Sequence, residues 1–545
     1  MTRSLALTLL GVLLTASAPA AEAKRPNIIM FLIDDQEKDS IGAYGGKTWT
    51  PSLDRMAREG IRFNQGYVSS TVCTPSRYSF LTGRYASLST SKRFQQACGG
   101  ERTQAYPSFN LALEPDRNNV GRVLKDAGYV TGFVGKLHLV SEEDFPQFFS
   151  GPEAIKPVAR RGEEAGEQAS ALFRSNERAM RRYIENLGFS WAKNIYPENM
   201  QRPYHHHNPE WTVAAALEFI ELNRSKPFYL HLCTTLLHGG TGSWRASMDF
   251  PLVSGEGQLK ELPKVMTPRD KLLATLKKKG LDPNSPTAGE AWIDDALGAV
   301  MNKLRELGLD QNTLVIFAPD HGRDAKSSLF SKSGTCIPLL MRWPAGINAG
   351  TVCDELVQSV DLAPTYFELA GAKPPAGYQL SGRSLVPLLA NGKAPSWRDH
   401  LYFEVGCARA VTTKDWKYIA VRYTTDQIQR IKSTSKDRLP RLMSYIGRLG
   451  IGVRGADHPG FWDSDQLYDL PNDPDEMKNL AADPNYAGRL ATMRALLTQD
   501  IKQPNRPFGE FAPGENTTPA GQVAAQVAQV KQLKIQGKRV SDETE

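Results

Sequence analysis

Two largely apolar runs, each ending in carboxylates, constrain the fold of this chain more than any other feature. The first covers residues 26–33 and ends in Asp34-Asp35, and the second covers residues 312–319 and ends in Asp320-His321. Such continuous runs are typical of strands buried on both faces of a parallel sheet. Ligands bind beyond the carboxyl ends of these strands, and adjacent carboxylates repel unless a cation lies between them. The two ends therefore predict a cation site, although a D-D pair alone also fits a cap or a turn.

Strands and helices alternate along most of the chain. Further apolar runs at residues 129–139, 226–233 and 337–344 are separated by helical stretches, which cover residues 51–59, 119–127, 210–222 and 291–307. This alternation favours a mostly parallel sheet with helices on both faces. A chain of 545 residues with 41% hydrophobic content can bury a large core without covalent staples.

The segment from Cys73 to Arg84 reads C-T-P-S-R-Y-S-F-L-T-G-R. Its C-x-P-S-R run followed by L-T-G-R resembles the signature of the type I sulfatases. By that resemblance Cys73 is oxidised to Cα-formylglycine, whose hydrate offers one hydroxyl to attack sulfur and a second to expel sulfate later. We expect a helix to begin near Pro75 and to hold Arg77 against the diol. The residues alone also fit a small buried cysteine before a Pro-started helix.

The resemblance gives the two carboxylate-bearing strand ends a specific role. It implies that Asp34, Asp35, Asp320 and His321 hold one divalent cation, which also contacts the group formed from Cys73. We expect calcium, as in most of the family. Many relatives carry asparagine where this chain has His321, and imidazole suits softer ions than calcium, so manganese and magnesium remain open.

A third segment of the site resembles the G-K-W-H run of the family. Here it reads G-K-L-H, and Lys136 and His138 share one face if the strand continues through both. The resemblance implies that Lys136 meets a sulfate oxygen and that His138 takes the proton from the second hydroxyl of the diol. The alternative is a strand-end lysine beside a structural histidine.

The resemblance places a further histidine and a further lysine at the site. His238 follows a buried strand, with flanks that match the family loosely, and we assign it the proton donor to the leaving group. His231, inside that strand, is expected in the core. Lys326 keeps the family spacing after Asp320 and is favoured as a sulfate ligand, with Lys332 as its rival. Either lysine would otherwise be a surface charge.

The amino-terminal residues predict export. Residues 1–23 combine Arg3, a short apolar run and small residues at a cleavage point, which indicates a secretory signal too short to span a bilayer. The mature protein is expected to be periplasmic or secreted, with no membrane anchor.

The domain assignment is residues 1–23 signal peptide, 24–395 catalytic domain, 396–505 C-terminal subdomain and 506–545 polar tail. The stretches 141–200 and 427–458 have no counterpart in the family pattern.

Cysteine content and net charge limit how the fold can be stabilised and which partners are expected. The chain has 6 cysteines, and with Cys73 committed to chemistry a disulfide framework is excluded, although one bridge remains possible. The net charge of +7 suits a polyanionic substrate only weakly. Nucleic acid is not expected as a partner, because the chain is exported and carries no recognisable motif for it.

The alternation of strands and helices predicts a large mostly parallel sheet flanked by helices. The resemblance implies that this sheet belongs to an alkaline phosphatase-like α/β sandwich with a smaller C-terminal antiparallel-sheet subdomain. The expected function is a sulfatase that releases inorganic sulfate from a sulfated carbohydrate after maturation by a formylglycine-generating enzyme. The alternative is a phosphodiesterase or phosphonate monoester hydrolase of the same superfamily. A binding protein with a dead site would require lost core positions, and a cysteine-based hydrolase would leave the Asp34-Asp35 pair unexplained.

Overall fold

The computed structural model describes residues 25–156, 166–200, 204–435, 438 and 458–518. The predicted signal peptide, most of the stretch 427–458 and the tail beyond residue 518 lie outside the described residues. All six cysteines are described, and each is a free thiol. Among the described helices, none has the length and apolar character needed to cross a membrane.

An eight-stranded sheet forms the centre of the larger part of the protein. Seven strands share one direction, and the strand at residues 339–342 runs antiparallel to both of its neighbours. In sheet order the strands are β11 (Thr351–Cys353), β2 (Ile61–Phe63), β10 (Leu339–Arg342), β9 (Thr313–Pro319), β1 (Asn27–Ile33), β6 (Phe228–Cys233), β4 (Val130–Lys136) and β5 (Trp191–Tyr196).

Both faces of this sheet are covered. Alternate residues of β1 enter two separate cores, with Met30 on one side and Phe31 on the other. This explains why the apolar run of β1 is continuous: every side chain along it is buried. The first face packs against α2 (Cys73–Thr82), α3 (Lys92–Cys98), α4 (Val120–Asp126), α5 (Glu167–Asn186), α10 (Leu362–Ala370) and α11 (Val386–Leu389). The second packs against α1 (Pro51–Glu59), α6 (Pro209–Leu222), α7 (Gly240–Met248), α8 (Arg269–Lys278) and α9 (Pro286–Glu306).

A four-stranded antiparallel sheet follows in the C-terminal part. It consists of β13 (Leu401–Val405), β14 (Ala408–Thr412), β15 (Trp416–Val421) and β16 (Asp465–Asp469). Helix α12 (Thr425–Ser433) follows β15 in the chain. Helix α13 (Ala487–Ile501) packs on the sheet through Met493 and Leu497. Two-stranded pairings complete the fold: β3 (Gly66–Tyr67) with β12 (Val357–Gln358), and β7 (Val253–Ser254) with β8 (Gly257–Gln258). The predicted fold class is confirmed.

Two local features differ from the sequence-based expectation. The stretch 141–200 contains the 20-residue helix α5 and the edge strand β5, so part of it belongs to the central sheet. The helix of the cysteine motif begins at Cys73 itself, two residues before the predicted start. Its first residue contacts Asp34 and His321, which follow the carboxyl ends of β1 and β9.

Candidate active site

Cys73 lies at the first position of α2, where the strand ends converge. Its Sγ is 3.5 Å from Asp34 Oδ1 and 3.3 Å from His321 Nε2. Burial, together with the charges of Asp320 and Asp34, raises the pKa of the Cys73 thiol well above its usual range. A thiolate is the reactive form of cysteine. Without a cation, the site therefore does not favour a thiolate at residue 73.

Cys73 and four buried side chains around it form a candidate metal centre. One potential ligand atom from each of Asp34, Asp35, Cys73, Asp320 and His321 lies within 4.8 Å of the others. Three carboxylates and one imidazole fit a divalent cation, and the excess of oxygen ligands fits a hard ion such as calcium. Cys73 brings a sulfur, which calcium does not favour, so an oxygen at that position would suit the same ion better.

Arg77 connects three of the strand ends. Its Nε donates to Asp320 Oδ2 at 2.9 Å, its Nη2 to Asp34 Oδ2 at 3.3 Å and its Nη1 to the Lys136 carbonyl at 3.1 Å. Lys136 Nζ donates to the same Asp34 carboxylate. Burial alone would raise the pKa of Asp34, but the charges of Lys136 and Arg77 outweigh it and hold this pKa well below its usual range. Asp34 is therefore ionised and ready to bind a cation.

Lys326 faces Asp35, with its Nζ 3.4 Å from both carboxylate oxygens. The amide of Ser327 donates to the Thr71 carbonyl, which fixes this loop beside the start of α2. Burial favours the neutral amine, yet Asp35 and the other carboxylates raise the pKa of Lys326 well above its usual range. Lys332, in contrast, is on the surface, with a side chain 51% exposed and paired with Asp475. Geometry thus separates the two lysines that the sequence left as rivals.

His138 does not continue the strand that ends at Lys136, so the condition for a face shared with Lys136 is not met. Gly135 has φ 89° at an irregularity in the β4–β5 pairing, and a Cβ there would lie 1.7 Å from the Cys233 carbonyl oxygen. His138 itself has φ 59° and forms a backbone hydrogen bond to Pro197. This turn still brings its ring to the site, where burial and the charges of Lys136 and Arg77 lower its pKa. Its Nδ1 is buried without a hydrogen-bond partner among the described residues.

His238 reaches the site on a turn that is bonded to the backbone of Asp34. The Asp34 amide donates to Leu236 O at 3.0 Å, and the Leu237 amide donates to Asp34 O at 2.9 Å. Burial first, and then the positive charge of Lys326, lowers the pKa of His238 well below its usual range. His231 lies in the core as expected, with Nδ1 2.7 Å from the Tyr229 hydroxyl.

The sequence analysis missed one histidine beside this turn. His207 is buried, and its ring nitrogens are 2.8 Å from Thr235 Oγ1 and 3.0 Å from the His238 carbonyl oxygen. Its only signal in the sequence is a run of three histidines before α6, which gives no hint of a partner about 30 residues further on.

Comparison with known proteins decides the family. The model of the family described as Sulfatase matches residues 26–372, which include every metal-centre residue. The chain belongs to the sulfatase family. A second family model, described as N-sulphoglucosamine sulphohydrolase, C-terminal, matches residues 320–437. Together with its named relatives, this membership identifies the chain as a sulfatase enzyme of the alkaline phosphatase-like superfamily.

Individual relatives span most of this sulfatase. An ulvan-active sulfatase of Formosa agariphila is 26% identical over 479 residues, covering 86% of this chain and 78% of the relative. The steryl-sulfatase of Mus musculus is 29% identical over 476 residues, covering 73% and 70%. A solved structure, BT4656 in complex with its substrate D-glucosamine-2-N,6-O-disulfate, shares the fold with a TM-score of 0.55 and 21% identity, covering 88% of this chain and 98% of the other.

Proposed function

We propose that this enzyme is an exported sulfatase that removes sulfate from a sulfated carbohydrate, with Cys73 converted to formylglycine by a maturation enzyme. The observation that carries the proposal is the position of Cys73 Sγ, in contact with both Asp34 and His321 inside a buried cluster of ionic groups. As a hydrated aldehyde, residue 73 would supply the hydroxyl that attacks sulfur. The divalent ion, with calcium as the preferred candidate, would neutralise charge at that position.

The charges at the site support an anionic substrate. Three buried carboxylates (Asp34, Asp35 and Asp320) face three buried cations (Arg77, Lys136 and Lys326), so the side chains balance. A divalent ion held by the carboxylates adds a surplus of two positive charges. Lys136 and Lys326 would then be available for the oxygens of a sulfate ester, as fixed charges in a site shielded from water.

Two histidines divide the proton transfers. A sugar alkoxide is a poor leaving group, and we assign its protonation to His238. His138 would accept the proton from the second hydroxyl of residue 73, which releases sulfate and restores the aldehyde. The lowered pKa of His138 keeps its ring neutral and so able to accept a proton, and its buried Nδ1 lacks a hydrogen-bond partner among the described side chains. The pKa of His238 is lowered in the site without substrate. An anionic ester beside it would favour the imidazolium form, which has a proton to donate.

A substrate panel tests the reaction and the substrate class. Matured protein would be assayed for sulfate release from ulvan oligosaccharides, D-glucosamine 2-N,6-O-disulfate, a steryl sulfate and 4-nitrophenyl sulfate. Bis(4-nitrophenyl) phosphate and phenylphosphonate esters would test the superfamily alternative. We expect turnover of at least one carbohydrate sulfate to exceed turnover of the phosphorus esters. Preference for the steryl sulfate would contradict the carbohydrate assignment, and preference for a phosphorus ester would contradict the sulfatase assignment.

Mass spectrometry tests the modified nucleophile and the export separately. The peptide that contains residue 73, taken from active protein, should carry an aldehyde that hydroxylamine converts to an oxime. An unmodified thiol in fully active protein would refute formylglycine. The amino terminus of the protein recovered from the periplasm or medium should lie near residue 24 if the signal peptide is cleaved as expected.

A further inference from the structure

We infer that His207 is a positioning residue for His238, which it acts on through the backbone of the turn that presents this histidine. The inference rests on the proposed function, because it concerns the proton donated to the leaving group. His207 lies in the loop before α6 and is only 3% exposed. It lies outside the sequence motifs that resemble the family.

Contacts of the His207 ring with described residues bear on its protonation state. Nε2 is 3.0 Å from the His238 carbonyl oxygen, and Nδ1 is 2.8 Å from Thr235 Oγ1. A carbonyl oxygen can only accept, so Nε2 carries a proton. Burial lowers the pKa of His207 to about 4, so Nδ1 carries none and accepts from the Thr235 hydroxyl. The imidazole is therefore neutral, with one tautomer, and it joins the two ends of the turn 235–238.

Among the contacts of the described residues, this one supplies the hydrogen bond to the His238 carbonyl. On the upstream side, the Leu237 amide is bonded to the Asp34 carbonyl and the His238 amide to the Thr235 carbonyl. On the downstream side, Gly239 has φ 79°, and a second glycine follows it. Glycine restrains the backbone least of all residues. Without His207, the His238 carbonyl would lose this hydrogen bond, and the backbone that carries the His238 side chain would be less restrained up to the start of α7 at Gly240.

The position of His207 is itself fixed from several directions. Its amide donates to Ser247 Oγ at 2.9 Å, and Arg269 donates to the Ser247 carbonyl at 2.7 Å. Arg269 also forms a two-pronged pair with Glu210, at 2.8 Å for each oxygen, and stacks on Trp292. Because α6, α7, α8 and α9 all contribute, the imidazole is part of a rigid frame. Both ring nitrogens are engaged, so the frame positions His238 while His207 has no ring nitrogen left for substrate.

Two substitutions separate positioning from a general structural role. In His207→Leu the hydrogen bond to the His238 carbonyl is lost, whereas His207→Gln places an amide donor where Nε2 lies. Because His238 would then be misplaced, kcat for the best carbohydrate sulfate of the panel should fall by about 10²-fold in the leucine variant. Turnover of 4-nitrophenyl sulfate should change far less, because its leaving group needs little protonation. The glutamine variant should recover most of the lost rate.

A double variant and hydrogen exchange complete the test. His207→Leu combined with His238→Ala should be no slower than His238→Ala alone, since both act on one proton transfer. Exchange of the amides of residues 235–239 should accelerate in His207→Leu and not in His207→Gln. His400→Gln, a histidine substitution in the C-terminal part, serves as the control and should change neither readout.

The inference would be overturned by equal losses on both sulfates, by additive effects in the double variant, or by unchanged exchange in His207→Leu. Failure of the proposed function is a separate outcome: the wild type would then cleave no sulfate ester, while hydrogen exchange would still report whether His207 holds the turn.

Discussion

Arg77 bridges two carboxylates that come from different strands: its Nε lies 2.9 Å from Asp320 Oδ2 and its Nη2 lies 3.3 Å from Asp34 Oδ2. All three side chains are buried. The planar fork of arginine reaches both carboxylates at once, which the single ammonium of a lysine does less well. One residue thus joins the helix that begins at Cys73 to the two strand ends of the candidate metal centre.

Loss of this bridge should destabilise the protein. Arg77→Met leaves buried Asp320 without its arginine partner and Asp34 with Lys136 alone, and we expect a loss of about 3–5 kcal/mol in the free energy of unfolding. Denaturant unfolding of protein from which a chelator has removed the metal measures this loss. Arg122→Met provides the control, since its pair with Asp126 is exposed and should contribute no more than about 1 kcal/mol. Equal effects of the two substitutions would show that the Arg77 bridge is not a structural element.

Removal of the cation should abolish turnover while the fold remains. We expect EDTA-treated protein and Asp320→Ala to lose sulfate release, and added calcium to restore only the former. Metal analysis of the purified wild type should give one divalent ion per chain, and far less in the variant. Circular dichroism checks the fold. Full activity in metal-free protein would contradict the metal assignment.

The two candidate lysines form a matched pair. Lys326→Met removes a buried charge at Asp35 and should lower kcat/KM by 10²-fold or more, taking about 10²–10³ as the effect of one lost electrostatic contact. Lys332→Met removes an exposed pair with Asp475 and should have little effect. Kinetics on one sulfate ester decide between them. A larger loss in Lys332→Met would reverse the assignment.

Different leaving groups should separate His238 from His138. General acid assistance contributes about 10²–10⁴-fold, and less when the leaving group is already stable. His238→Ala should therefore slow a sugar sulfate far more than 4-nitrophenyl sulfate. His138→Ala should instead trap sulfate on residue 73, detectable as a mass increment on that peptide. Equal losses on both substrates would exclude His238 as the acid.

His400 should make the C-terminal part sensitive to alkaline pH. A hydrogen bond to Asp500, with a further contribution from Asp399, raises the pKa of His400 to about 9. Its unfolded pKa is about 6.5, so the stabilisation is fully present below that pH and is lost as the pH rises through about 9. The difference in Tm between the wild type and His400→Gln should shrink between about pH 6 and pH 10. A constant difference would show that the ion pair contributes nothing.

Several site residues were accessible from the sequence because their strands are buried on both faces. Continuous apolar runs located β1 and β9, and Asp34 and Asp320 follow directly from where these runs end. The stretch 141–200 was harder to interpret, because the buried stripe of α5 includes Asn176 and Glu177. Glu177 accepts hydrogen bonds from the amides of Asn194 and Ile195, so its polar group is satisfied by a strand that the helical pattern does not reveal.

The sequence by itself determined the family, the fold class and the residue types at the candidate metal centre, since these depend on local motifs and on the periodicity of buried strands. Tertiary structure alone decided which lysine lies beside Asp35, how His138 turns into the site after Gly135, and which histidine holds His238 in place. Each of these depends on contacts between segments distant in the chain. A sequence pattern records the burial and conformation of its own segment, whereas a hydrogen bond such as that between His207 and the His238 carbonyl exists only once both segments have packed.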